Sequence, residues 1–417
     1  MRFLGILLAT AILFCVSSPA YPRTWHVTVD QTGDVPTIQA AIDNARPGDD
    51  VLVAPGTYTW ADQGASGTSM LVMKSGVMLH SEAGPEVTVL DAQGQGRVIL
   101  CEGVDDQAVI EGFSITRGAT DGYPGTGGGG ICCYDNSSPR IVGNVITCCA
   151  TGLYYWRAGG GISCAVNSSP EISGNEIISN SACDGGGVYC GSSSNARIID
   201  NVISDHCLFP AIEFWDTYGG GILSENSSPL IDGNVITENS AHYGGGICCR
   251  GSDADIHENL IADNSACNGG GIMCSGGTCY IWRNTIVGNG SPCSMPYHGT
   301  VACDYGDAYI WCNIIAETPY CMAISCEWND NTDVQRNDLW NNAEGDSDCD
   351  IAPNNIHEDP LFCDAEAGDF MLREDSPCLS GVDGFPCMGR IGAHGVGCGS
   401  TTVQHASWGR VKALYRK

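Results

Sequence analysis

Positive charge is scarce in this sequence. Its 417 residues include 18 Lys and Arg but 48 Asp and Glu, so the formal net charge is −30 at pH 7. Lysine occurs only at Lys74, Lys412 and Lys417. A chain with this charge repels polyanions, which argues against nucleic acid or an anionic lipid surface as a partner. An anionic polysaccharide would need a divalent cation to bridge the two negative surfaces.

Cofactor signatures are also missing from the sequence. No Lys-Ser/Thr pair follows any run of glycines, so a phosphate-binding loop is not predicted. Repeated Asp-rich nonapeptides of the calcium-binding type do not occur either. We therefore expect no cofactor and no metal centre, and calcium is possible only as a bridge to an anionic ligand.

Long apolar runs are confined to the first 20 residues. Arg2, an apolar stretch over residues 3–16 and the small residues 18–20 predict a signal peptide that is cleaved near Ala20. No later run is long and apolar enough to span a bilayer. We therefore expect a secreted or outer-cell-surface protein. The basic segment 400–417 is either a sorting or anchoring tail, or a disordered end or helix that docks on the acidic body.

The dominant positive feature is a glycine triplet that returns at intervals of 25 to 34 residues. The triplets begin at Gly128, Gly159, Gly185, Gly219, Gly244 and Gly269. Each is followed by Ile or Val, a turn rich in Ser, Asn and Pro, another Ile, and an Asn-x-Ile motif. A period this short, with three strand-length pieces per repeat, predicts a coil of short strands joined by tight turns.

Equivalent positions of stacked coils form columns, and the columns test this interpretation. Two columns of Ile and Val, which begin at Ile131 and Ile141, are suited to the coil interior. A third column consists of asparagines, whose side-chain amides can bond both their own turn and the next coil. We predict that these asparagines form a structural ladder: Asn144, Asn175, Asn201, Asn234, Asn259, Asn284 and Asn313.

These repeats resemble the right-handed parallel β-helix family of the pectin-lyase-like superfold, over roughly residues 25–395. Residues 35–49 and 51–58 look like the helical cap of that family, and residues 359–393 look like the closing segment of secreted bacterial members. The Gly-Gly-Gly-Ile and Ile-x-x-Asn elements are also similar to chlamydial polymorphic outer-membrane protein repeats. The resemblance implies an all-β, right-handed parallel β-helix solenoid of about ten coils with an N-terminal helical cap.

The expected organisation has five parts. A signal peptide occupies residues 1–20, and the cap with the first coils occupies 21–95. The β-helix repeats follow over 96–345, a Cys-rich closure over 346–399 and the basic tail over 400–417. Fragments that mimic polygalacturonase motifs, such as Asn331-Thr332-Asp333, occur in the wrong order along the chain, so a hydrolase of that type is not expected.

Cysteine is abundant, and 24 of the 25 cysteines remain after signal removal. Six of them are expected to share one interior column, with Ser224 filling a gap: Cys133, Cys164, Cys190, Cys249, Cys274 and Cys303. Neighbours in this column either form disulfides, since a Cα spacing near 4.8 Å is allowed, or pack as small apolar groups. The disulfide connectivity stays open.

The first ligand candidate is a group of aromatic residues on the middle strand of two consecutive coils. Tyr280, Trp282, Tyr309 and Trp311 flank inward-facing isoleucines and should point outward, with His257 one coil earlier. We expect a flat platform on which sugar rings stack. The alternatives are a patch that lies under the returning segment 341–398, and a surface for a partner protein.

A second candidate lies in two aromatic insertions just before glycine triplets. One contains Tyr155, Trp156 and Arg157, and the other contains Glu213, Trp215 and Asp216. Loops on a rigid scaffold often carry specificity, although two flaps packed on each other would look the same. Glu213, Asp216 and Arg157 are the weak catalytic candidates, with Arg250 as an alternative to Arg157. The outward column of the glycine-led strand, Cys132 to Ala302, offers no useful titratable group.

Three functional hypotheses follow from the sequence. The leading one is non-catalytic binding of a polysaccharide or a partner protein at the surface of the cell or outside it. The second is a carbohydrate-active enzyme, either a polysaccharide lyase, an epimerase or a glycoside hydrolase. The third is a stiff structural spacer in the cell envelope. One superfold serves many functions, so the resemblance does not choose among them.

Overall fold

The computed structural model describes residues 21–120, 127–152, 158–206, 216–290, 299–326, 331–379 and 387–398. Three long parallel sheets run along the chain, and each coil contributes one strand to each sheet. The three sheets, which form the three faces of the solenoid, contain 10, 12 and 11 strands. This is the parallel β-solenoid of about ten coils that the repeats predict.

We name the three sheets by their place in each coil. The glycine sheet follows the glycine triplets and contains Ser69–Val72, Arg97–Glu102, Ile131–Tyr134, Ile162–Cys164, Val188–Gly191, Ile222–Glu225, Ile247–Arg250, Ile272–Ser275, Gly299–Asp304 and Met322–Ser325. The middle sheet contains Thr24–Val27, Asp50–Val53, Met78–Ser81, Val109–Glu111, Arg140–Val142, Glu171–Ser173, Arg197–Ile199, Leu230–Asp232, Ala254–His257, Thr278–Trp282, Asp307–Trp311 and Thr332–Gln335. The third sheet contains Gly56–Thr59, Thr88–Asp91, Ser114–Thr116, Val145–Thr147, Glu176–Ile178, Val202–Ser204, Val235–Thr237, Leu260–Ala262, Thr285–Val287, Ile314–Ala316 and Asp338–Trp340.

Smaller elements complete the fold. The short strands Ala119–Thr120 and Ala150–Thr151 pair in parallel, and Phe362–Asp364 and Asp369–Leu372 form an antiparallel pair. Two 3-10 turns cover Ala365–Ala367 and Pro377–Leu379.

The single α-helix of the described residues spans Ile38–Asn44 and lies in the predicted cap. The Thr37 hydroxyl caps it by accepting the Ala40 N–H at 3.1 Å, and Ile38, Ala41 and Ile42 are buried. No helix in the described ranges is long and apolar enough to cross a membrane.

The glycine triplets are required by close backbone approach. Gly244, the first residue of its triplet, has a φ of 64°, and a Cβ there would lie 2.4 Å from the Ile247 oxygen. Gly246, the third residue, faces the next coil, where a Cβ would lie 2.7 Å from the Gly271 oxygen. The triplet therefore both turns the chain and lets consecutive coils approach closely.

The interior columns form as predicted, because Ile131 and Ile141 and their equivalents in the following coils are paired in register and buried. The column from Cys132 to Ala302 faces away from the coil interior but is buried, since Tyr189, Leu223 and Cys248 pack there in an apolar cluster with the partly buried Tyr218 and Tyr243. The outer face of the glycine sheet is thus a second, smaller core.

The asparagine column forms a continuous ladder. The Asn259 side-chain oxygen accepts both the backbone N–H and the side-chain N–H of Asn234, and its Nδ2 donates to the Ile231 oxygen at 2.9 Å. The same pattern repeats from Asn144 onward and extends past Asn313 to Asn337 and Asn355. Each buried amide is therefore satisfied from two coils, which fixes their register.

A second ladder at the end of the third-sheet strands has one substitution. Asn180, Asn239, Asn264 and Asn289 occupy it, but His206 takes the position between Asn180 and Asn239. The His206 Nδ1 accepts the Asn180 N–H at 3.0 Å, while its Nε2 is buried without a hydrogen-bond partner in the described structure. A neutral imidazole replaces the amide in this coil.

The interior thiols are not bridged. Cys133, Cys164 and Cys190 are paired in register and buried as free cysteines. Of the two alternatives left open by the sequence, the structure has the packed thiols. Three disulfides whose two cysteines both lie in the described ranges are found toward the C-terminal end, with Cα–Cα distances of 5.2 to 5.5 Å. They are Cys312–Cys387, Cys326–Cys349 and Cys363–Cys398.

The returning segment covers a different face from the one considered in the sequence analysis. Phe370, Leu372 and Ile391 pack against Leu260 and Ile314 of the third sheet in a buried cluster. The Cys312–Cys387 disulfide fastens this segment at the edge between the middle and third sheets. The aromatic residues of the middle sheet are therefore not buried under the described parts of residues 341–398.

The buried His206 makes the fold sensitive to acid. Burial lowers the pKa of His206 to about 4, whereas an exposed imidazole titrates near 6.5. Between these values the unfolded chain binds the extra proton, so stability falls as the pH is lowered, by up to about 3 kcal/mol. We expect His206→Asn, which continues the ladder, to lose less stability over this range in urea unfolding. Equal losses in both proteins would contradict the assignment, and His26→Asn, at an exposed position, is the matched control.

Candidate ligand-binding surface

The outer face of the middle sheet carries two neighbouring columns of polar and aromatic side chains. One column runs through Leu230, Asp255, Tyr280, Tyr309 and Asp333 in register. The other column runs through Asp232, His257, Trp282, Trp311 and Gln335. We call His257, Tyr280, Trp282, Tyr309 and Trp311 the aromatic strip. The structure thus brings together all five first-candidate residues on one surface.

The rings of the strip do not form the flat platform that the sequence analysis expected. Tyr280 and Tyr309 are stacked, with ring centroids 5.1 Å apart and an interplanar angle of 8°. Two coplanar rings could not approach so closely, so these rings stand upright on the sheet and face each other. His257 and Trp282 stack in the same way at 4.2 Å and 19°. Consecutive coils are simply too close for rings in one column to lie flat.

Carboxylates fix the orientation of both indoles. Trp282 Nε1 donates to Asp255 Oδ1 of the preceding coil at 2.8 Å. Trp311 Nε1 donates to Asp333 Oδ2 of the following coil at 3.1 Å, and Asp333 also accepts from the Gln335 amide. A hydrogen bond to an ionised acceptor is among the stronger ones, so the two indoles are held at defined angles.

His257 lies between two carboxylates. Its Nδ1 is 3.1 Å from Asp255 Oδ1, and its Nε2 is 3.4 Å from Asp232 Oδ1. For Asp255, burial opposes ionisation, but hydrogen bonds from His257 and Trp282 outweigh it and the pKa is lowered. Burial raises the pKa of Asp232, and nearby His257 offsets this only in part. The two carboxylates are therefore shifted in opposite directions.

The strip is accessible at one end. Tyr280 is 42% exposed, and the Asp255 side chain beside it is 47% exposed. Both contacts of Asp255 within the described structure use Oδ1, which leaves Oδ2 without a hydrogen bond there. The face of Tyr280 that points away from Tyr309 adjoins this carboxylate.

Two ionic groups border the strip on either side. At the edge toward the third sheet, Glu258 pairs with Arg283 and with Arg390 of the returning segment, both at 3.0 Å. On earlier coils of the same face, Arg140 pairs with Glu171 at 3.5 Å, with Arg197 next in register. These exposed pairs on the earlier coils are ordinary cross-strand ion pairs, worth about 0.2 to 1 kcal/mol each.

A second polar cluster lies on the glycine sheet. Arg250 pairs with Glu225 at 3.2 Å, and its guanidinium lies 4.2 Å from the ring centroid of Tyr218. Tyr218 in turn stacks on Tyr243 at 5.1 Å, and the Tyr189 hydroxyl lies 3.1 Å from Glu225 Oε2. The structure therefore places Arg250, an alternative catalytic candidate, in a rigid aromatic setting rather than free in a cleft.

Asp184 belongs to this cluster and was missed by the sequence analysis. Burial raises its pKa to about 6, although the Tyr218 N–H donates to it at 3.3 Å. The signal was present in the residue before each triplet, where Ala158, Asp184, Tyr218 and Tyr243 are paired from coil to coil. A carboxyl group that is buried among apolar and aromatic residues destabilises the fold when it is ionised, and such positions are candidates for functional sites.

Of the insertion candidates, only Asp216 lies in the described part of the chain. Tyr155, Trp156, Arg157, Glu213 and Trp215 lie outside the described residues. Asp216 is exposed, and its Oδ2 lies 3.5 Å from the Tyr218 hydroxyl. Asp216 is thus beside the Arg250 cluster without touching Arg250 in the described contacts.

Three residues with potential metal-ligating atoms lie close together in the described C-terminal part of the chain. Atoms of Cys326, Asp348 and Cys349 lie close enough together to hold an ion. The two cysteines are joined in a disulfide, however, so neither offers a thiolate.

The comparison with protein families decides the membership of the chain. The model described as the right-handed beta helix region matches residues 75–217 and 157–339, which together cover more than half of the chain. The chain belongs to the right-handed β-helix family. No curated protein sequence matches this β-helix protein.

Solved structures agree with this membership. The structure of pectate lyase Pel9A has a TM-score of 0.56 and 12% identity, over 91% of this chain and 97% of the lyase. The PL6 family alginate lyase AlyGC gives 0.43 and 12%, over 84% and 54% of the two chains. The A-module of the Azotobacter vinelandii mannuronan C-5 epimerase AlgE6 gives 0.41 and 13%, over 80% and 100%. At 12% identity, the property that the pectate lyase shares with this chain is the fold.

The raised pKa of Asp184 predicts a measurable cost. The native state keeps a proton on this carboxyl up to about pH 6, whereas the unfolded chain releases it near 3.8. The stability that this proton contributes is therefore lost as the pH rises through about 6. We expect Asp184→Asn to be more stable than the parent at neutral pH, by up to about 3 kcal/mol, and equal to it below about pH 4. Urea unfolding at the two pH values measures this, and a less stable variant at neutral pH would overturn the interpretation.

Proposed function

We propose that this β-helix protein is exported and binds a polysaccharide without modifying it, at the Tyr280 end of the aromatic strip. The single observation that carries the proposal is the 42% exposed Tyr280 beside the half-exposed carboxylate of Asp255. An apolar ring face next to a fixed hydrogen-bond acceptor matches a sugar, which has an apolar C–H face and hydroxyl donors around its rim. The carboxylate is already oriented by Trp282 and His257, so binding would order little further.

Charge selects among polysaccharides. Asp232, Asp255 and Asp333 border the strip, and the whole chain carries a net charge of −30. A neutral polysaccharide meets no repulsion there, whereas a uronate polymer does. We therefore propose a neutral glycan as the ligand, with uronate polymers bound only when calcium bridges the negative groups.

Export is part of the proposal. The first 20 residues have the pattern of a signal peptide, and disulfides persist mainly in oxidising compartments. The titles of the solved structures name a pectate lyase, an alginate lyase and an epimerase of polysaccharides. These titles support a carbohydrate ligand by analogy of fold only.

The test is affinity electrophoresis of the purified protein in gels that contain neutral or uronate polysaccharides, with and without calcium. We expect retardation by a neutral polysaccharide, and a loss of about tenfold or more in affinity for Tyr280→Ala, because stacking and sugar placement are lost together. Asp255→Asn should also weaken binding, since a hydrogen bond to a charged group is worth about 1.5 to 3 kcal/mol.

Arg197→Ala is the matched control, because Arg197 lies in the same outward column two coils before Asp255. It should bind as the parent does. Circular dichroism and thermal unfolding confirm that each variant is folded. Unchanged binding by a folded Tyr280→Ala variant would refute the site, and no retardation by any glycan would leave the partner-protein surface or the spacer role.

A second candidate function, a carbohydrate-active enzyme, is favoured by the Asp232–His257–Asp255 group. Two carboxylates whose pKa values are shifted in opposite directions flank one imidazole, which is the arrangement used for acid–base chemistry. His257 would accept a proton from the glycan while Asp232, the carboxyl with the raised pKa, would supply one.

Incubation with each glycan separates this candidate from simple binding. Turnover should appear as new reducing ends or new unsaturation. His257→Gln should lose it completely while a weakened gel retardation remains, because Tyr280 and the Trp282 contact to Asp255 are kept. A parent protein that binds a glycan and leaves its chain length and saturation unchanged excludes the enzyme for that glycan. Turnover that survives His257→Gln would assign the chemistry to another site.

A further inference from the structure

A column of thiols runs through the interior of the coil, independently of the proposed glycan surface. Its first stretch has four members on consecutive coils: Cys101, Cys133, Cys164 and Cys190. Ser224 interrupts it, and Cys249, Cys274 and Cys303 continue it in register. All of the thiols of the first stretch are fully buried and free.

The column has a partner on the opposite wall. Cys279, a buried residue of the middle sheet, lies in the same core cluster as Cys249 and Cys274 of the glycine sheet and interacts with both. Thiols from two sheets therefore converge in the second stretch. Small apolar packing alone would not require sulfur on both walls, because Ala254 and Ala308 occupy the positions next to Cys279 in its column.

Disulfide formation suits this geometry poorly. Side chains at paired positions of parallel strands point the same way, so their Cβ atoms are about as far apart as the strands, roughly 4.8 Å. A disulfide needs Cβ atoms about 3.5 to 4.5 Å apart. The Cα criterion used in the sequence analysis is met, but the Cβ criterion is not, which agrees with the free thiols of the structure.

The same spacing suits a metal ion held between two thiols. A metal–sulfur bond is about 2.3 Å long, so a two-coordinate ion in line with two sulfurs spans about 4.6 Å, close to the strand spacing. Soft thiol ligands select soft ions such as Cu(I). We propose that the stretch Cys101, Cys133, Cys164 and Cys190 binds soft monovalent d10 ions, Cu(I) or Ag(I), each between the sulfurs of two consecutive coils.

The charge balance of this site is favourable for a buried position. One thiol releases its proton, its sulfur and the neutral sulfur of the neighbouring thiol both bind the ion, and the site stays neutral. Neutrality avoids the large cost of an unpaired buried charge.

Silver(I) is the probe for this proposal. Exposed thiols, such as that of Cys148, are first blocked with N-ethylmaleimide on the folded protein under reducing, oxygen-free conditions. Silver is then added, either to the folded chain or during refolding from urea, and the metal retained after desalting is measured by mass spectrometry. We expect the parent to retain at least one ion per chain more than Cys133→Ser/Cys164→Ser. Serine is tolerated in this column, as Ser224 shows.

Two variants sharpen the result. Cys132→Ser removes a buried thiol from the same strand whose paired neighbours are Leu100 and Ser163, so it should retain as much silver as the parent. Ser224→Cys joins the two stretches and should retain more. Equal retention by the parent and the Cys133→Ser/Cys164→Ser variant, in both the folded and the refolded arm, would overturn the proposal and leave the thiols as packing groups.

Discussion

The structure depends on the hydrogen bonding of one residue type at one corner. Each ladder asparagine satisfies the turn of its own coil and the backbone of the adjacent coil, as Asn259 does with His257 of its own coil and with Asn234 and Ile231 of the preceding one. A slip by one residue would leave these buried amides unpaired, at a cost of about 1 to 3 kcal/mol for each group. Because the ladder runs from Asn144 to Asn355, the register of most of the coils is fixed by side chains rather than by strand pairing alone.

Fixed register has a chemical consequence on every face, since a residue in one coil meets its equivalent roughly 4.8 Å away. Inside the coil this spacing brings thiols together, and outside it brings rings together. The upright stack of Tyr280 on Tyr309 and the pairing of Cys133 with Cys164 are two results of the same constraint. In a solenoid of this kind, equivalent residues of successive coils form columns on the surface. The chemistry of each column depends on which residue type is repeated and on the coil at which a different residue takes its place.

The sequence sufficed for the parts of the structure that obey the repeat. The Ile131 and Ile141 columns and the helix Ile38–Asn44 were predictable because local pattern and tertiary position agree there. The sequence repeat does not define the distances between side chains on the outside of the coil, and the differences from the structure occur there. Burial of the Cys132 column depends in part on Tyr218 and Tyr243, which lie outside this column and pack against it. The outward direction of the aromatic rings was predicted correctly. The flat platform was wrong because the spacing of consecutive coils is too small for rings in one column to lie flat. Asp184 was missed because the residue before each triplet was not compared from coil to coil.

The outer faces of the three sheets differ in how far other parts of the chain cover them, which limits the surfaces at which a macromolecule can bind. The outer face of the glycine sheet is partly occupied by its own apolar cluster, and the returning segment covers the last coils of the third sheet. Within the described part of the chain, the middle sheet keeps Tyr280 and Asp255 exposed on these coils. The stacked rings on this sheet stabilise the coil. Their stacking does not require the Asp255 carboxylate beside them, whose Oδ2 makes no hydrogen bond within the described structure. Asp255 is held by two donors on one oxygen and exposed at 47%, which is an arrangement that a ligand can complete and the fold does not need.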